Sequence, residues 1–420
     1  MTQQEQSGRA DRAPEIISLG DSCCGCGACS AKCPKGCLSM TPDEAGFLRP
    51  SFNSDLCIGC GACDSTCPVL SRNPVVEPVE VSWAKSLSSD VLQQSSSGGL
   101  FGVLADAAIK SDGVVVGASF QEHCHTVRHE CATDLEDLKR LQRSKYVQSE
   151  IPASLYREVK EYLLAKRLVF FTGTACQVSG MRNYLGKLAD SAFFISADVI
   201  CHGAPSPLLW RKWIEFQSSA QNSEIDDVNF RSKTTGWSSY SVLYYARTEK
   251  DDCRVTGGRY GDDWYMRAFL DNASLRSSCF DCPAKRSCGS DLTLGDFWGF
   301  PSIHPEVDSS MGVSAVLCNT DKGKKWFERV SPKLEIGPSS YDEVIGGNPA
   351  LAASVAPHPQ RCKFMRALAK GASIKELSSR WSFKDTFFIR LRRKLKRMLG
   401  NWAAFVVIAI WFGWADDCRK

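Results

Sequence analysis

Eight cysteines near the N-terminus constrain this chain more than any other feature. Cys23-x2-Cys26-x2-Cys29-x3-Cys33-Pro34 is repeated, spacing for spacing, by Cys57-x2-Cys60-x2-Cys63-x3-Cys67-Pro68. Three thiolates on one tight loop reach three irons of a cubane 4Fe-4S cluster, and in two-cluster ferredoxins the fourth cysteine of each run crosses to the other cluster. Small residues between the thiols (Gly25, Gly27, Ala28; Gly59, Gly61, Ala62) let backbone N–H groups approach the sulfides. By the crossing rule Cys23, Cys26, Cys29 and Cys67 hold one cluster, and Cys57, Cys60, Cys63 and Cys33 the other. Zinc prefers two separated C-x2-C knuckles, and a disulfide frame needs an oxidising compartment. Both fit the spacing less well.

The chain has 420 residues, enough for two or three domains around a sizeable core. A net charge of +4 gives no global signal for nucleic acid, so no nucleic-acid partner is expected. Of the 21 cysteines only the eight above are explained by the repeated run. Residues 1 to 16 are polar, with no apolar core of a secretory signal. Abundant thiols without such a signal point to a reducing, cytoplasmic setting.

Composition divides the rest. Residues 1–18 read as a disordered tail, 19–72 as the two-cluster domain and 73–82, with two prolines and no helical period, as a linker. Residues 83–375 form a larger α/β domain. In it, strand-like Gly113–Gly117, Leu168–Phe171 and Phe193–Ile195 alternate with Gly-containing loops and amphipathic helices, the first of them capped by Ser97. Residues 236–260 look antiparallel. The fold class is therefore α/β with α+β elements: a small bacterial-type ferredoxin domain, a larger α/β domain and a helical tail over 376–420.

Three sets of residues in the large domain attract attention. The turn Ser95-Ser96-Ser97-Gly98-Gly99 places hydroxyls and N–H groups at a helix start, where a phosphate binds, although a plain cap would use the same residues. Lys145, Tyr146 and Gln148 supply a cation, a phenol and an amide. Cys176, Cys201, Cys279 and Cys282 each sit in a loop among small or polar residues and can hold a third 4Fe-4S cluster, with Cys288 as a competitor. Buried, reduced thiols are the alternative. Cys24 and Cys37 read as ordinary. His202 and Tyr146 are candidate proton donors, the only catalytic nominations the sequence offers.

The stretches SSSGGLFGVLADAAI, SKYVQS, GTACQVSGMRNYL, DVICHGAPSPLLW, FRSKTTGW and CFDCPAKRSCGSDLTLGDFWG resemble, in that order, the coenzyme F420 hydrogenase/dehydrogenase beta-subunit family with a fused ferredoxin module. The resemblance implies an iron–sulfur flavin-dependent oxidoreductase that binds FAD at Ser97, Gly98, Gly99, Lys145, Tyr146 and Gln148. It implies electron transfer among 4Fe-4S clusters, FAD and a reducible organic substrate or deazaflavin coenzyme. It also strengthens the third-cluster reading, although Ala175 stands where the family has proline and Cys288 where it has other residues. Redox donors or acceptors (a ferredoxin, a deazaflavin or a partner enzyme) are the implied partners, and bacterial members often occur beside glycan-assembly enzymes, a link to cell-surface polysaccharide biosynthesis. Two other readings are an electron-transfer subunit without catalysis of its own and a membrane-docked glycan-assembly factor.

The tail carries a separate signal. Arg390–Arg397 has six cations in eight residues, and Trp402–Ala415 is uncharged and mostly apolar. Fourteen helical residues span about 21 Å, short of a bilayer core of about 30 Å. A basic helix followed by a short Trp-rich segment suits docking on the inner face of the cell membrane.

Overall fold

A computed structural model of the chain describes residues 13–247 and 253–383. The basic and Trp-rich segments of the tail lie outside the described residues. Strands are β1 (Leu38–Pro42), β2 (Leu48–Phe52), β3 (Glu80–Ser86), β4 (Val114–Gln121), β5 (Thr126–Ala132), β6 (Val169–Thr174), β7 (Phe194–Val199), β8 (Ile225–Ser232), β9 (Ser241–Arg247), β10 (Cys253–Arg259), β11 (Leu292–Asp296), β12 (Ser314–Cys318) and β13 (Leu334–Pro338).

The centre is an eight-stranded mixed sheet in the order β13-β3-β12-β11-β7-β6-β4-β5. Its inner strands β4, β6, β7 and β11 run parallel, and antiparallel strands flank them. The parallel strands read as continuous apolar runs because both faces are covered. Val114, Val115 and Val116 and likewise Val169, Phe170 and Phe171 are fully buried. Helices Leu100–Ile109 and Asp321–Val330 cover one face; Ala153–Leu164 and Ala175–Leu185 cover the other. The α/β expectation is met.

A three-stranded antiparallel sheet, β10-β9-β8, forms a second layer with helix Pro207–Gln221 and helix Trp264–Leu270. Trp210, Phe230, Tyr244 and Tyr265 fill its core. Helix Ile374–Arg380 belongs to the same core through Leu377, and Trp381 closes it. Packing thus continues past residue 375, where composition alone had the tail begin.

The N-terminal module contains the β1–β2 hairpin and two short helices, Ala28–Lys32 and Ala62–Thr66, each entered through a left-handed glycine, Gly27 and Gly61. Residues 15–18, assigned by composition to a disordered tail, form a helical turn instead. The Asp64 carboxylate accepts from the N–H groups of Glu15 and Ile16, and Ile16 is buried. This module is packed into the large domain. Cys24, Cys26, Ala28 and Ala31 share one apolar cluster with Tyr156, Val159, Val178 and Met181. Gly180 permits the approach, since a Cβ there would lie 2.9 Å from Cys26 Sγ. Tyr156 Oη donates to the Cys26 carbonyl (2.7 Å), and Lys32 Nζ to that of Tyr184 (2.9 Å).

Candidate redox site

The repeated cysteines fall into an inner and an outer group. Cys29 is pushed up to about 12 by burial and then by Cys23 and Cys67. Cys67 is raised by burial and, among the thiols, by Cys23; Cys26 neighbours both Cys29 and Cys67. These four are the inner group. Cys33, Cys57, Cys60 and Cys63 line a separate recess of about 730 Å³ at the surface. There Cys60 is exposed, and Leu56 and Ile58 beside it are 49% and 55% exposed. A fifth thiol joins them. Cys37 Sγ lies 3.2 Å from Cys33 Sγ, and burial, then Cys33 and Cys57, push it up to about 12.

The large domain holds a cavity of about 1080 Å³ that opens along the carboxyl ends of the parallel strands. Ligands gather at that edge of an open α/β sheet because loops diverge there and helix starts face inward. Cys176 follows β6 and Cys201 follows β7, so the adjacent strands place both thiols in the cavity. The turn Ser277–Asp281 brings in Cys279, and Cys282 follows directly. All four candidate ligands meet here. Cys279 is pushed up to about 12, by burial first and then by Cys176 and Cys282 among its neighbours. Burial, then Cys279 and Cys176, raise Cys201 further. Buried thiols that oppose one another's ionisation form a donor set completed by a cationic iron core, which reverses the local preference. The donor chemistry therefore fits a cluster. Among the described residues, no three His, Cys, Asp or Glu side chains converge tightly enough for a single metal ion.

Cys288 lines the same cavity but is engaged elsewhere. Its Sγ contacts Ser290 Oγ at 3.3 Å, and that hydroxyl donates to Asp198 Oδ1 (2.7 Å). Cys24, by contrast, adjoins Cys176. The Cys24 thiol, then burial, raises Cys176 well above its ordinary range, and Cys24 also neighbours Cys26 of the inner group. One buried thiol thus spans the gap between the two sites.

At the other end of the cavity, Ser95, Ser96, Ser97 and Gly99 approach the start of helix Leu100–Ile109. The expected cap, Ser97, is replaced by Gly99 in the left-handed conformation (φ 85°), and no side chain caps this helix. The Ser97 hydroxyl donates to the Val313 carbonyl (3.0 Å) instead. The free N–H groups suit a phosphate or pyrophosphate. Gly98 has a packing role: a Cβ there would meet the Ala84 carbonyl at 2.5 Å and Ser314 N at 2.8 Å.

Lys145, Tyr146 and Gln148 also line the cavity. Lys145 Nζ donates to the Gln142 and Arg143 carbonyls (2.7 and 3.3 Å). Burial, then Arg143, hold it down to about 7. Gln148 Nε2 donates to the Cys24 carbonyl (3.3 Å). His202 points an unpartnered, buried Nε2, its ring lies edge-on to Phe269, and burial lowers its proton affinity.

Several cavity residues carry no sequence assignment. Arg231, 3% exposed, pairs with Asp296 through two short contacts (2.8 and 2.9 Å) and donates to Tyr146 Oη (3.1 Å). Its guanidinium lies over the rings of Tyr240 and Trp298 at 4.1 and 4.9 Å. His129 is buried there too, its Nε2 donating to the Thr172 carbonyl (3.0 Å). Arg231, Asp296 and Trp298 fall inside the stretches FRSKTTGW and GDFWG; their pairing across 65 residues had no local signal.

The fold and the cysteine groups define an iron–sulfur electron-transfer protein. Comparison with known proteins gives the family. Residues 166–343 belong to the family of C-terminal domains of the coenzyme F420 hydrogenase/dehydrogenase beta chain, and residues 22–70 match the 4Fe-4S dicluster domain. No curated protein matches. Among solved structures, a chain of the F420-reducing nickel–iron hydrogenase complex from Methanosarcina barkeri is 17% identical with a TM-score of 0.40. The match covers 75% of this chain and 96% of that one. At that score no residue's role is carried across. Among the described residues no helix is long and apolar enough to cross a membrane.

Proposed function

We propose that the chain is an iron–sulfur flavoprotein oxidoreductase that moves electrons between its ferredoxin-type clusters, FAD and a reducible organic substrate or deazaflavin coenzyme. One observation carries this reading: the uncapped helix start at Leu100, the Lys145–Gln148 segment and the four cysteines all face one cavity, which Cys24 joins to the inner ferredoxin thiols. A bound flavin would exchange one-electron for two-electron chemistry. The protein's part is placement. Backbone N–H groups at residues 99–102 receive the pyrophosphate. Tyr146 is held by Arg231 and stacked on Phe269 (5.2 Å). His202 Nε2 is free to hold or deliver a proton to a reacting ring.

Anaerobic reconstitution with iron, sulfide and FAD is expected to yield about twelve irons and one flavin per chain, at four irons per cubane. Iron without flavin would favour the competing reading, a relay subunit that feeds a partner enzyme, for which the exposed rim at Leu56 and Ile58 offers a contact. Neither iron nor flavin would leave only a glycan-assembly factor. The tail adds a second element: docking on the inner membrane face. Removal of residues 385–420 should abolish cosedimentation with anionic liposomes; unchanged sedimentation ends the docking reading.

A further inference from the structure

Arg276 has an unusual environment. It is 1% exposed and among the largest fully buried side chains. Nε donates to the Cys23 carbonyl (2.7 Å), NH2 to that of Leu48 (2.8 Å) and NH1 to Gln148 Oε1 (3.2 Å). Phe47 lies under the guanidinium at 5.3 Å. Its own N–H is held by the Ala204 carbonyl (2.8 Å), and the turn that carries Cys279 begins at the next residue. One side chain thus binds the first cysteine loop, the β1–β2 hairpin, the Lys145–Gln148 segment and the Cys279 turn. The cysteine loop makes room for it. Gly25 has φ 72°, and a Cβ there would sit 2.7 Å from Arg276 NH1.

Every hydrogen-bond acceptor it uses is neutral. Arg276 makes no carboxylate salt bridge, unlike Arg231, which is buried to a similar degree. A guanidinium cannot shed its proton, and a buried charge is costly unless an anion compensates it. The anionic groups within its reach are thiolates: its charge favours the ionised forms of Cys176 and Cys279, and it holds the peptide of Cys23. Four thiolates around a 4Fe-4S core leave net negative charge, and each accepted electron adds one more. Net charge and nearby hydrogen bonds set cluster potentials.

We infer that Arg276 is a positioning residue that raises the reduction potential of the inner ferredoxin cluster and so directs electrons inward from the outer one. The inference rests on the reading that Cys23, Cys26, Cys29 and Cys67 hold that cluster, which the iron content of the unaltered protein tests separately. EPR-monitored redox titration of the reconstituted chain measures the effect. Arg276→Gln should make one ferredoxin cluster at least tenfold harder to reduce, about 59 mV for a one-electron couple, and leave the other unmoved. Arg276→Lys, which keeps the charge and loses the fork, should restore most of the shift. A purely structural strut would leave both potentials in place or shift them equally in the Gln and Lys variants, and either result overturns the inference. If the Gln variant loses iron, the Lys variant decides: a parental potential supports the charge, and the same iron loss overturns it.

Discussion

Cys201→Ala is expected to lower the iron content of the reconstituted chain from about twelve to about eight atoms, one cubane's worth. Cys201 stands at the end of β7, between Cys176 from β6 and the Cys279 turn, and burial forbids solvent from replacing its thiolate. Cys288→Ala is the control. Its thiol is occupied with Ser290, so iron should be retained although the residue lines the same cavity. Iron analysis with EPR reads both. Unchanged iron in the Cys201 variant, or equal loss in both, would remove the proposed ligand set.

The largest stability effect should come from the Arg231–Asp296 pair. Its side chains are 2% and 15% exposed, and it ties β8 of the second sheet to the end of β11 in the main sheet. Trp237 Nε1 also donates to Asp296 Oδ1 (2.8 Å), so the carboxylate organises three elements. Arg231→Met leaves that carboxylate without its main counter-charge, at a cost of about 3–5 kcal/mol. The double variant Arg231→Met with Asp296→Leu should recover most of this, because removing both charges also removes the desolvation penalty. Chemical denaturation of the four members of the cycle measures the coupling. A double variant as unstable as the single one would show that shape, not charge, holds the corner. Flavin retention should fall in the single variant as well, since Tyr146 loses its donor.

The two cysteine runs were legible because cluster ligation is local: each run fits three ligands into seven residues, and that spacing has few other uses. The parallel strands were legible for a similar reason, since burial on both faces leaves runs such as Val114–Val116 and Val169–Phe171. Helix capping was read less well. A Ser-rich turn looks like a cap, but Ser97 is drawn to Val313 beside β12, a contact 216 residues distant.

By itself, then, the sequence determined which residues carry electron-transfer chemistry and which segments bury themselves. Only the tertiary structure decided their order in space. Parallel strand order set Cys176 beside Cys201. The glycine at 180 let Cys26 settle against a helix, and Gly25 admitted a buried arginine between the cysteine loop and the cavity. Cys24 and Cys37, ordinary in sequence, became neighbours of the proposed ligands Cys176 and Cys33. The reason is physical. Spacing along a chain fixes what one loop can grasp, whereas contacts between loops depend on how strands pair and how closely backbones approach.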